Sequence, residues 1–327
     1  MHALLNGVAL DIIAVGLDGI SPAARGMWFP TSKKQSERAG FSFDKDEREA
    51  PSVVYPATTY PYGSCSFNTT CIQLVFNQLL VHYPYQLNHI AECVKDFALL
   101  QDKTTIEFAG EDKLQAHKQN PHLDNGLPIP VGIATGLYSR LMNLTLDVMH
   151  DLTNSVSYAI GMGSQQARTS CAISYLVWSL LETGYFGAAD LQDLIELKLI
   201  SGNLTSLFKT YIQEAHQPDY WSKFVTTDLI EELSHSEKIL AEACFYLCRI
   251  STQFKEEVTF STVPKENLIE VLNTDNGYVD LAMLFGVLAC ASEQTGEEGC
   301  YKLVIPEALC YESPYTTTFK AIFEDIN

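Results

Sequence analysis

The sequence predicts a mainly α protein: an antiparallel, bundle-like helical part after residue 125, preceded by a smaller mixed α/β part. Three observations predict it. Apolar residues recur at helical spacing in long segments from Leu137 onward, glycines separate those segments by only a few residues, and 46% hydrophobic content is ample for a core. Short connections of this kind make neighbouring helices antiparallel.

In residues 1–125 the apolar run 8–17 reads as strand-like, closed by the Asp18-Gly19 turn, and Ser21-Pro22 opens a short helix. Residues 51–60, 104–108 and 127–133 are further strand candidates. The stretch 31–49 is charged and short of apolar periodicity, which predicts a mobile, solvated loop. A Gly/Ser-containing loop then leads into a helix that Asn68 can cap. Pro121, Asn125-Gly126, Pro128 and Pro130 mark residues 118–132 as the boundary between the two parts, 1–125 and 126–327.

Beyond it, one helix is expected over 137–160, stopped at Gly161-Met162-Gly163, and another over 165–182, stopped at Gly184. Helices over 188–200 and 204–215 follow, the first ending at Gly202-Asn203. A long helix over 229–254 has Asp228 as N-cap with Glu231 three residues on, and helices over 265–272 and 279–291 complete the bundle.

Charge narrows the partners. There are 40 acidic against 21 basic side chains, a formal charge of −19, and from Pro121 onward the ratio is 27 to 11. Such a field repels phosphate backbones and anionic lipid, so neither nucleic acid nor a membrane is expected as a partner. The early apolar run is broken by Asp11 and no Lys or Arg precedes it, which does not make a secretory signal. The longest apolar stretch, 171–181, is well short of the roughly 20 residues a membrane span needs. Nine cysteines with no CxxC pair suggest neither zinc nor a disulfide framework, and fit the cytoplasm or another reducing compartment. No cofactor is implied.

Two constellations carry chemistry. Asp147-x-x-His150 and Glu232-x-x-His235 set an acid and a His three apart on two expected helices, the arrangement of carboxylate-bridged di-iron bundles. Plotted at 100° per residue, Glu232 and His235 lie on or beside the apolar stripe, whereas Asp147 and His150 fall opposite it. Only Glu232 and His235 therefore stand as metal candidates, and a di-iron oxidoreductase is the remotest reading.

The second constellation is a thiol at a helix start. Cys71 is expected near the third position of its helix, where the partial positive charge of the N-terminus stabilises a thiolate. A base and an orienting group are also required. His122 is the preferred base, with Asp124 or Asn125 beside it; His82, His89 and His235 are alternative bases, and Cys65 competes for the thiol role. Gly161-Met162-Gly163-Ser164 follows a helix rather than a strand and reads as a turn. The first functional expectation is accordingly a protein-binding or scaffold role through an acidic helical surface, toward a partner with a basic one. A cysteine-dependent hydrolase or acyl-transfer enzyme using Cys71, His122 and Asp124 is the alternative.

Overall fold

The computed structural model describes residues 2–16, 65–82, 92, 124, 126–214, 217, 220–221, 224, 227–254, 270–272 and 278–291. They form helices α1 (His2–Gly16), α2 (Phe67–His82), α3 (Pro128–Leu141), α4 (Leu146–Ile160), α5 (Ser164–Thr183), α6 (Ala188–Glu196), α7 (Gly202–Glu214), α8 (Asp228–Glu231), α9 (His235–Phe254) and α10 (Tyr278–Ala291). The protein is mainly α, and among the described residues there is no strand.

Two expected strands are helices instead. Residues 8–16 belong to α1, which buries Ala3, Leu4, Gly7, Val8, Leu10, Asp11, Ala14 and Val15. Its sequence has only His2, Asn6 and Asp11 as polar residues, so it lacks the period that separates a helix from a buried strand. Residues 128–133 open α3 with prolines at its first and third positions. There the missing amide hydrogens cost nothing, because the first turn has no intrahelical acceptors to reach. The candidate strands at 51–60 and 104–108, the short helix at 21–22 and the charged loop 31–49 lie outside the described residues.

Two long helices expected in the second part are each divided. The 137–160 segment breaks after Leu141, where Asn143 takes φ 50° and the Leu144 amide donates back to the Ser139 carbonyl. The 229–254 segment breaks at Glu232, leaving the four-residue α8 ahead of α9. Gly161 (φ 99°) and Gly184 (φ 77°) close α4 and α5 in the left-handed conformation, as their positions predict. Lys198 (φ 56°) turns the chain after α6, and Gly202 opens α7 rather than closing its predecessor.

Small residues let two helix pairs approach closely. A Cβ at Gly132 of α3 would lie 2.7 Å from the Ser170 carbonyl oxygen and from Ile173 Cβ of α5, and one at Gly136 would lie 2.7 Å from the Ser174 carbonyl oxygen. Gly7 makes the same kind of contact between α1 and α10, its absent Cβ lying 3.0 Å from Met283 Sδ. Against the first of these pairs, Thr153 of α4 donates to Thr135 (3.0 Å) or Ser174 (3.1 Å), so these buried hydroxyls satisfy one another.

The core runs without interruption across residue 125, from Leu4 and Phe76 through Ile133 and Ile173 to Leu284. An aromatic group around Trp221, Tyr211, Phe245 and Phe285 fills the region between α7, α9 and α10, with the Trp221 indole donating to the Glu214 carbonyl at 3.0 Å. Among the described residues no helix is long and apolar enough to cross a membrane.

Candidate functional site

The starts of five helices are linked by hydrogen bonds at one place in the bundle. Ser66 caps α2, its hydroxyl accepting the Asn68 amide at 3.1 Å. The Asn68 side-chain NH2 donates to Asp280 Oδ1 at 2.7 Å, and Asp280 is in the first turn of α10. The other Asp280 oxygen, Oδ2, lies 2.7 Å from His235 Nε2, the first residue of α9. Glu237, two residues on, accepts the Ser234 amide (3.2 Å) and the Gln165 side chain from the start of α5 (3.0 Å). Asp124 accepts the Gly126 amide just before α3 (3.1 Å) and both the amide and the hydroxyl of Ser236 (2.7 Å each). Helix N-termini carry partial positive charge, so Asp124, Glu237 and Asp280 are favourably set among them.

A further carboxylate enters from the middle of α1. Asp11 is fully buried and accepts the Ser66 amide (2.8 Å), the Ser66 hydroxyl (2.5 Å) and the Thr69 hydroxyl (2.7 Å). Burial raises its pKa from 3.8 to about 6, the nearby Asp280 charge adds to that, and the Ser66 and Thr69 donors oppose it. Asn68 Oδ1 is buried beside this pair with no hydrogen-bond partner. A buried acceptor left unpaired is expensive in an apolar bundle.

Within the His235–Asp280 pair it is the imidazole that meets solvent: its side chain is 34% exposed, against 5% for Asp280. A neutral imidazole that donates from Nε2 to the carboxylate keeps a lone pair on Nδ1. The pair can therefore take a proton from a molecule at the protein surface while the buried carboxylate holds the ring.

The residues singled out in the sequence are distributed as follows. Cys71 is the fifth residue of α2, past its first turn, and is completely buried in the core. Cys65 precedes the helix and is also buried; burial first, and the Asp11 charge second, push its thiol pKa well above the usual value. His122, Asn125 and His89 lie outside the described residues, and His82 ends α2. Asp124 is engaged with Ser236 and Gly126, as given above. Glu232 ends α8 at the surface, accepting from Asn203 at 3.0 Å, while His235 is joined to Asp280. Asp147 is exposed on α4, and the His150 ring lies 3.3 Å from the Asn154 side-chain amide. Among the described residues no group of three or more His, Cys, Asp and Glu is arranged to hold a metal ion.

Sequence reasoning passed over Asp11, Asn68 and Asp280 as site residues. Their signal was present: Asp11 and Asp280 are the lone charges of two otherwise apolar helices, and a charge buried in such a segment requires partners. No protein-family model matches the chain, and no curated protein matches it.

Proposed function

We propose that the chain is a hydrolase working by general acid–base catalysis, with His235 as the base that takes a proton from the attacking water. The observation that carries this reading is the 2.7 Å contact between His235 Nε2 and the buried Asp280 carboxylate, itself held by Asn68, on an imidazole that remains one-third exposed. Water is the nucleophile this arrangement serves best, because the Ser66 and Thr69 hydroxyl protons are both given to Asp11. Cys71, fully buried, has no surface on which to meet a substrate.

General-base catalysis contributes about 10²–10⁴-fold in rate. The test is a panel of chromogenic esters, amides, glycosides and phosphodiesters, run with wild type, His235→Ala, Asp280→Asn and, as a control, His150→Ala. At least about a hundredfold loss in the first two variants is expected, with His150→Ala unchanged. Full turnover by His235→Ala, or no turnover of any class by wild type, refutes the proposal.

A second reading, binding to a protein with a basic surface, is favoured by one specific observation. Among the described residues Glu92, Asp147, Asp151, Glu182, Glu196, Asp228, Glu231 and Glu232 are exposed acids, against Arg168, Lys198 and Lys209 as exposed bases. Such a surface speeds association with a cationic partner, an effect that weakens with salt, and disfavours nucleic acid. The buried thiols at positions 65, 71, 171, 244 and 248, which form no disulfide, suit a reducing compartment such as the cytoplasm.

A further inference from the structure

The start of α9 departs from ordinary capping. Ser234-His235-Ser236-Glu237 has the residues of a capping box, and the Glu237 half is made: its carboxylate accepts the Ser234 amide at 3.2 Å. The other half is not. The Ser234 hydroxyl is buried without a partner, and the acceptor it would have supplied to the first turn comes instead from Asp124, 112 residues away in sequence. Asp124 takes the Ser236 amide on one oxygen and the Ser236 hydroxyl on the other, each at 2.7 Å. The residues on both sides of His235 are thereby pinned, Ser234 by Glu237 and Ser236 by Asp124.

We infer that Asp124 is a positioning residue for His235. It does not touch the imidazole; it fixes the backbone from which the imidazole reaches Asp280. A ring whose Nε2 must stay 2.7 Å from a buried oxygen tolerates little movement of its own Cα, and the first turn of a helix is where backbone otherwise frays. The carboxylate's third bond, to the Gly126 amide at 3.1 Å, ties this anchor to the start of α3. The importance of such positioning for activity rests on the reading of His235 as a base, but the positioning itself does not.

The experiment reads the imidazole directly, in the full chain and without a substrate. Long-range proton–nitrogen NMR correlation of His235 at pH 8 reports which ring nitrogen carries the proton. Wild type is expected to show one tautomer, protonated at Nε2, and Asp124→Ala to lower its predominance by about tenfold, equivalent to about 1.4 kcal/mol. Asp124→Asn keeps one acceptor for the Ser236 amide and is expected to restore most of it; Ser236→Ala, which loses the hydroxyl contact alone, is expected to fall between. If Asp124→Ala does not fold, Ser236→Ala and Asp124→Asn carry the same comparison. A His235 tautomer unchanged in all folded variants overturns the inference. Asp280→Asn, which removes the direct partner, serves as the positive control. Loss of hydrolysis in His235→Ala is read separately, so failure of the catalytic proposal and failure of the positioning role give different results.

Discussion

Asp11 makes three hydrogen bonds from a fully buried position, so replacing it separates the value of an acceptor from the cost of a charge. Asp11→Ala leaves the Ser66 amide, the Ser66 hydroxyl and the Thr69 hydroxyl without their acceptor. Orphaned buried donors cost about 1–3 kcal/mol each, or roughly 3–9 kcal/mol together. Opposing this is relief of the buried charge. The carboxyl pKa rises from 3.8 to about 6 on folding, and two units correspond to about 3 kcal/mol. Because the folded pKa is raised, Asp11 contributes its stability in full below about pH 4, where folded and unfolded states are both protonated. That contribution is lost as pH rises through about 6. Asp11→Ala is therefore expected to destabilise by about 3 kcal/mol at pH 7 and by about 6 kcal/mol at pH 4. Asp11→Asn mimics the protonated carboxyl and is expected to match wild type within about 1 kcal/mol at pH 4 and to exceed it by about 2 kcal/mol at pH 7. Urea unfolding of the three proteins at both pH values measures this. A difference between wild type and Asp11→Asn that does not change with pH, or an Asp11→Ala protein within about 0.5 kcal/mol of wild type, refutes the assignment of Asp11 as a buried, charge-strained acceptor.

Other substitutions probe the packing around the site. Gly136→Ala sets a methyl 2.7 Å from the Ser174 carbonyl oxygen; overpacking of about 1–3 kcal/mol outweighs the gain in helix propensity, and the melting temperature falls. An unchanged or higher melting temperature means that α3 and α5 are farther apart than described. Glu242, buried on α9 beside the Tyr246 hydroxyl, has its pKa raised by burial from 4.5 to about 7. Its contribution is lost as pH rises through about 7, so Glu242→Gln is expected to gain about 3 kcal/mol on wild type between pH 5 and pH 8; parallel stability curves contradict this. Cys71→Ala removes a core thiol and is expected to cost about 1 kcal/mol or more, while iodoacetamide at neutral pH labels Cys65 and Cys71 only after unfolding. Rapid labelling of Cys71 in the folded protein reopens the thiol-enzyme reading.

Where apolar spacing met a glycine stop, the sequence was legible. The ends of α4 and α5 lie at Gly161 and Gly184 because a left-handed residue must follow the last turn, and glycine takes that conformation without a steric penalty. The early run 8–17 was misread for a reason that also hid the site. A helix with so few polar residues looks like a strand, and Asp11 then looks like an interruption of the run rather than its most informative residue. Spacing pairs Asp124 with His122, and His235 with Glu232 or, as an alternative base, with Cys71. Asp124 in fact meets Ser236, 112 residues away, and His235 meets Asp280, 45 residues away, pairings that follow from which helix starts meet rather than from spacing.

The site's origin in helix starts bears on its chemistry. Asp124, Glu237 and Asp280 each accept a hydrogen bond at or across a helix start, as an ordinary structural cap does, and caps alone would account for them. Three features exceed what capping requires. Asp280 spends one oxygen on an imidazole, Asn68 keeps a buried oxygen unpaired, and burial raises the Asp11 pKa, with the Asp280 charge adding to it. Each of these carries a cost in folding free energy, as a buried ion pair, an unpaired acceptor or a buried charge. Sequences lose such arrangements unless something other than stability retains them, and violations of local consistency concentrate at functional sites. If Asp280→Leu together with His235→Leu produces a protein at least as stable as wild type but inactive toward every substrate the wild type turns over, the cluster is there for its chemistry. A double variant that is destabilised by about 3 kcal/mol or more and keeps its activity makes it a structural clasp between α9 and α10.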